Sequence, residues 1–392
     1  MKASLPYLLL IALAVLACTV DSKAQSAPGT VTVTGKHGGD GTCPSHEGFG
    51  SRLTCYDATV TNCPNTDSIS LVFGYASPSS TPNGLVVFLS GAGGTAATVY
   101  PGGDGTFAQS YYNNNYNIVQ LAWSYDWELT NAPGNSSHAA SILSAACRQA
   151  AFLYWARYNT ASNNNGPVVF PTTQQNSQAG MCVQGFSAGS AATAYSLAYY
   201  GAASYVDKVE LLSGPVFSDI AQGCAVPAGP NVNICGGSPS YCYGWPSGGQ
   251  SEAPTYVFGT EKWLQSWTGN AKCAGGSPTN NSDKTGWLDQ SIVNNPNGGA
   301  TFSYPQTMMS AWLCTSDTDG TYNESAPEGW LFYNQIGGSG TLAPFQVTAV
   351  SNCSGPEGVT GGTVNNGTQH ATDAITADMS TSTNKCIKNA GH

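Results

Sequence analysis

The chain has 392 residues, enough for one large α/β domain with insertions or for two smaller domains. Only 9% of them are charged and the formal net charge is −10, so there is no basic stripe and no footprint for nucleic acid. Gly, Ser, Thr and Asn take the place of charge, which gives the polar, weakly charged surface that suits an extracellular protein.

Residues 1–24 have the pattern of a secretory signal. Lys2 supplies the positive start, residues 8–17 the apolar stretch, and Ser22-Lys23-Ala24 a small-x-small cleavage site before Gln25. A lipoprotein cut before Cys18 is the alternative, for which Leu16 is a poor fit. No later stretch approaches the ~20 apolar residues of a spanning helix. The expectation is a secreted protein without membrane insertion, extracellular, or periplasmic in a Gram-negative host.

Of thirteen cysteines, setting Cys18 aside leaves an even number, which permits up to six disulfides in an oxidising compartment. Spacing does not give the pairing. Local staples are expected within the cluster Cys43, Cys55 and Cys63 and within Cys224, Cys235, Cys242 and Cys273. Cys147, Cys182 and Cys314 are candidates for buried, unpaired thiols. No C-x-x-C pair exists and no histidine lies near the second cluster, so a metal is not expected.

Residues 25–54 are rich in Gly, Thr, Ser and Pro and predict an irregular segment with an edge strand at 31–34. Residues 56–61 and 68–75 alternate apolar and polar and predict an antiparallel pair at a sheet edge. GLVVFL at 84–89 is continuously apolar between turn signals, the mark of a strand covered on both faces. Ser90-Gly91-Ala92-Gly93-Gly94 follows it, a loop whose backbone can approach a ligand closely. A second buried strand is predicted at 116–122, leading into Trp123-Ser124-Tyr125-Asp126-Trp127. Those aromatic residues either line a pocket or pack the core. Residues 138–158 carry helical periodicity. Beyond residue 200 a short strand is predicted at 208–212. Gly, Pro, Asn and Ser then dominate residues 222–304, and periodicity is poor. A structureless loop of that length is improbable in a compact domain, so a disulfide-pinned insertion is expected. Strands at 308–314 and 344–350 and helices at 326–336 and 371–379 complete the chain.

The stretch QAGMCVQGFSAGSA at 178–191 stands at the centre of this pattern. An apolar strand runs into Gly185-Phe186-Ser187-Ala188-Gly189, and a small-residue helix follows. G-x-S-x-G between strand and helix is the nucleophile elbow. On it the chain resembles a secreted α/β-hydrolase of the serine esterase kind. The resemblance covers residues 55–380, leaves 222–304 unmatched and makes 55–392 one domain. It implies a mostly parallel central sheet flanked by helices, with the insertion lying over the active-site face as a lid.

A serine hydroxyl needs a general base, and the base needs an orienting acid. Of five histidines, His370 alone falls between the last strand and the last helix, where this fold supplies its base. Asp317, after the penultimate strand, is the preferred acid, and Asp319 the alternative. The order Ser187, Asp317, His370 is the family's. The resemblance further implies an oxyanion hole from the amide of Ala188 with that of Ala92 or Gly93, and a substrate pocket that includes Trp123, Tyr125 and Phe186. Carboxylic ester hydrolysis through an acyl-enzyme is the expected activity, on a small, polymeric or polysaccharide-linked ester, by a monomer that needs no cofactor. The competing reading is a non-catalytic carbohydrate- or protein-binding module on a hydrolase scaffold.

Overall fold

In a computed structural model of the chain, the described residues are 29–44, 52–91, 93–95, 106–139, 141–159, 165–175, 177–220, 289–293, 300–314, 325–337, 340–342, 345–353, 363–364, 369–380 and 385–392. The signal stretch, almost all of the insertion with its four cysteines, and Ala92, Asp317 and Asp319 lie outside them.

Three antiparallel strands come first: β1 (Thr30–Lys36), β2 (Thr54–Thr61) and β3 (Ile69–Ala76). The centre follows as β4 (Gly84–Leu89), helix α1 (Thr106–Asn113), β5 (Tyr116–Trp123), helix α2 (Cys147–Tyr158), β6 (Gly180–Phe186), helix α3 (Ala188–Tyr200) and β7 (Lys208–Leu212). After the insertion come β8 (Met308–Cys314), α4 (Ser325–Ile336), β9 (Gln346–Val350), a two-residue pair β10 (Thr363–Val364) and β11 (Gln369–His370), and α5 (Ala371–Ser380). The nine main strands form one sheet in the order β1-β2-β3-β5-β4-β6-β7-β8-β9. From β5 to β9 every neighbouring pair is parallel, while β3 joins β5 antiparallel.

The apolar runs explain this centre. Every residue of β4, β6, β7 and β8 is buried, because helices cover both faces of the sheet. Successive side chains alternate between two cores. Leu85, Val87, Leu89, Val183 and Leu211 belong to the core shared with α2 and α3. Val86, Phe88, Phe186, Leu212 and Trp312 belong to the core shared with α1 and α5. All of α3 is buried, and its Ala, Gly and Ser residues let it lie close to the sheet.

The chain leaves β4 toward β5 on one side and then crosses back over β4 to β6 on the other. In an open sheet the crevice at such a reversal, outside the carboxyl ends of the strands, is where ligands bind. Ser187 and the Gly91–Gly94 segment both fall there.

Three expectations are corrected. Cys147, Cys182 and Cys314 are not free: Cys63–Cys147, Cys182–Cys386 and Cys314–Cys353 are disulfides with Cα separations of 5.7, 6.0 and 5.9 Å. Among the described residues only Cys43–Cys55 is a local staple of the kind that spacing suggested, since proximity in the sequence says nothing of which buried thiols the sheet brings together. The helix predicted over 138–158 is interrupted. Ser141 accepts from the Ser144 amide and caps a single turn, Ile142–Ala145, before α2 begins. His138 is held outside the helix by Asn131, which donates to its carbonyl at 2.8 Å and accepts from its amide at 2.9 Å. The 56–61/68–75 pair does form, and the edge strand expected at 31–34 is β1, which pairs outside it, so the pair lies one strand in from the sheet edge.

Candidate active site

The site grows from the end of β6. Ser187 has φ 52° and ψ −117°, a conformation that costs a residue with a Cβ on the order of 1–3 kcal/mol. It is held there from three directions. Its amide donates to Leu212 O at 2.8 Å, continuing the β6–β7 ladder. Its carbonyl accepts from the Ser190 amide at 2.9 Å and the Ser190 hydroxyl at 2.5 Å, which starts α3. Gly189 leaves no room for adjustment: a Cβ there would lie 2.0 Å from Leu89 O. The glycine is therefore required by the contact of α3 with β4.

The Ser187 side chain is fully buried, and its hydroxyl has no hydrogen-bond partner among the described residues. Ala188 opens α3, so its amide has no carbonyl one turn back within the helix. The helix dipole adds a positive bias at the same point.

The glycine loop after β4 lies directly against this serine. A Cβ on Gly91 would meet the Phe186 ring at 2.8 Å and Ser187 Cβ at 3.3 Å. The Gly94 amide donates to Gly91 O at 3.2 Å, closing a tight turn between the two glycines. The turn is fastened from outside as well. Trp123 donates its amide to Gly94 O at 2.9 Å and Trp127 its amide to Gly93 O at 3.0 Å. The Asp126 side chain lies against Gly93.

Of the residues proposed for the pocket, Phe186 is 2% exposed and packs on Gly91. Trp123 is also 2% exposed, is part of the α2/α3 core and packs on Gly94. Tyr125 donates its hydroxyl to Ser68 O at 3.3 Å and accepts from Arg148 at 3.0 Å.

For His370 the backbone is described, and it is fixed on both sides. His370 pairs with Thr363 across β10–β11, and Thr363 exchanges two backbone hydrogen bonds with Ser351, next to β9. The residue after it begins α5. The sequence pattern did not predict β10 and β11, which are too short to leave a periodic signal. Arg148 was also missed. An arginine within an apolar helical stretch, with Arg157 the other, was the available signal.

A sheet parallel from β5 to β9, antiparallel at β1–β3, with a chain reversal at β4 and a strand–serine–helix elbow on β6, is the α/β-hydrolase fold. No protein-family model matches the chain, and no curated protein matches it. Among solved structures it is similar to a vibralactone cyclase at 14% identity, covering 78% of this chain and 72% of the other, with a TM-score of 0.39. A thermophilic and thermostable carboxylesterase cloned from a metagenomic library shares 13% identity over 77% of this chain and 80% of its own, with a TM-score of 0.38. A bacterial heroin esterase shares 10% over 76% and 75%, with a TM-score of 0.41. These are distant likenesses.

Proposed function

We propose that the protein is a secreted serine hydrolase that cleaves carboxylic esters through an acyl-enzyme. The observation that carries this reading is Ser187: a buried hydroxyl on a strained strand-to-helix turn, beside a glycine turn and at the start of a helix. That strain has no structural use if the serine is only a link in the chain. Four disulfides among the described residues support an oxidising compartment.

In the proposed reaction, His370 takes the Ser187 proton as Oγ attacks the ester carbonyl. Asp317, or Asp319 in its place, holds the imidazole tautomer and stabilises its charged form. The amides of Ala188 and of Ala92 or Gly93 bind the oxyanion, each donor being worth about 3 kcal/mol. The alcohol leaves with the proton from His370, and water activated by the same histidine releases the acid. Phe186 forms the wall of the acyl pocket nearest the serine, with Trp123 and Tyr125 behind the glycine turn. A polymeric or polysaccharide-linked ester fits a secreted protein of low charge.

A fluorophosphonate probe tests the reading. Labelling at Ser187, lost in Ser187→Ala together with p-nitrophenyl ester turnover, is the expected result. Folded protein that is not labelled would instead be a non-catalytic binding module.

A further inference from the structure

The reaction proposed above uses a glycine turn whose position relative to Ser187 must hold to a fraction of an ångström. One residue outside the site is bonded to the loop that contacts that turn. Arg148, on the first turn of α2, is fully buried. One of its terminal nitrogens donates to Trp127 O at 3.2 Å and to Leu129 O. The other donates to Asp67 O at 2.8 Å, to the Tyr125 hydroxyl at 3.0 Å and to Thr130 O at 3.1 Å. The guanidinium also lies over the Tyr125 ring, 5.4 Å from its centroid.

These five acceptors come from the loop after β5 and from the segment before β3. Asp67 is itself tied to that loop, its amide donating to Thr130 O at 2.8 Å. The neighbouring Cys147 is bonded to Cys63, so the base of the arginine cannot drift from these loops. The gathered loop then reaches the site at Gly93, where the Trp127 amide donates to Gly93 O at 3.0 Å and the Asp126 side chain lies against the glycine. A buried cation whose two terminal nitrogens bond mostly to backbone carbonyls, its Nε having no partner among the described residues, defines a loop's shape in a way an apolar contact does not, because each bond has a direction.

We propose that Arg148 is a positioning residue for ester hydrolysis: by collecting the Asp67, Trp127, Leu129 and Thr130 carbonyls it fixes the loop that holds the Gly91–Gly94 turn against Ser187. This rests on Ser187 being the nucleophile and on the turn supplying an oxyanion donor. Arg148 itself touches no reacting atom.

Lysine cannot reach five acceptors from one nitrogen, so Arg148→Lys should loosen the turn. The expected result is a kcat lower by about 10- to 100-fold, short of the roughly 100- to 1,000-fold lost when an oxyanion donor is removed outright, because the donor is displaced and not deleted. KM for a p-nitrophenyl ester should stay within about twofold, because the ground-state carbonyl makes little use of the donor. The affinity of a trifluoromethyl ketone, which forms a tetrahedral oxyanion on the serine, should fall by the same factor as kcat. A purely structural role would lower the melting temperature and leave these ratios alone. A folded Arg148→Lys protein with kcat within twofold of wild type overturns the proposal, as does a lower kcat with unchanged ketone affinity. Should that variant not fold, Tyr125→Phe removes one acceptor without uncovering the charge. It should show the same parallel loss at a few-fold with KM unchanged, which a loss of pocket contact would not give, and its absence is equally decisive. Turnover by Ser187→Ala would overturn the nucleophile reading and this proposal with it; where Ser187→Ala is inactive, the Arg148 measurements alone decide.

Discussion

Replacing Ser187 should make the protein more stable as it makes it inactive. Two unfavourable features meet at this residue. Its hydroxyl is fully buried with no hydrogen-bond partner among the described residues, and such a group costs about 1–3 kcal/mol relative to an apolar one. Its backbone sits at φ 52°, ψ −117°, at a further cost on the order of 1–3 kcal/mol for any residue with a Cβ. Ser187→Ala removes the first and should gain about 1–2 kcal/mol. Ser187→Gly removes both, but glycine lowers stability by about 0.5–1 kcal/mol through the unfolded chain. Its net gain should therefore exceed that of alanine by about 1 kcal/mol. The order expected is glycine above alanine above wild type. Urea unfolding reads this directly, as midpoints rising in that order at unchanged slope. For a chain of this length the melting temperature should rise by roughly 1–2 °C per kcal/mol, below the scaling for smaller domains. Variants less stable than wild type would mean that the hydroxyl is paired and the turn relaxed. The strained-nucleophile argument would then fail.

Gly189→Ala places a Cβ 2.0 Å from Leu89 O and 2.5 Å from Leu89 C, both backbone atoms of β4, so α3 or β4 must move. A loss of about 3 kcal/mol or more is expected, read as a lower melting temperature and a lower soluble yield. Wild-type values would show that the helix and strand are not in contact there. Removing Cys182–Cys386 by a paired alanine substitution opens a link across 204 residues. Chain entropy puts the loss at about 5 kcal/mol, and a change below about 1 kcal/mol in urea unfolding would contradict it. Glu210 lies on β7, fully buried, with the Tyr111 hydroxyl donating to it at 3.3 Å. Burial holds its carboxyl well above the usual carboxylate range, with Lys208 opposing the shift and Asp378 adding to it. The folded protein thus keeps a proton that the unfolded chain releases near the ordinary glutamate pKa of about 4.3. Stability from this group is complete below that pH and declines as pH rises above it. The advantage of Glu210→Gln over wild type should grow from pH 4 to pH 8 in urea midpoints; a constant difference would refute the shift.

Much of the architecture can be read along the chain because it is written in short-range patterns. The apolar runs of β4, β5, β6, β7 and β8 can be satisfied only by cover on both faces, so they mark the central strands. G-x-S-x-G between an apolar strand and a small-residue helix marks the elbow, since tight turns admit few residue types. The place of His370 between the last main strand and the last helix also follows from the order of elements. The interruption before α2 was missed because Ser141 is an ordinary polar residue in the sequence and becomes a cap only when its hydroxyl faces the Ser144 amide.

The tertiary structure decided what depends on partners distant in the chain. Nothing near Cys182 in the sequence points to Cys386. Nothing near Arg148 points to the Asp67 carbonyl, which it reaches only once α2 is laid across the sheet. The seating of Gly91 against Ser187 is of the same kind: each glycine announces a turn, but the contact exists because β4 and β6 are neighbours. Steric and hydrophobic preferences act residue by residue and leave a trace in the sequence. Directed bonds between remote groups leave none until the sheet has brought them together.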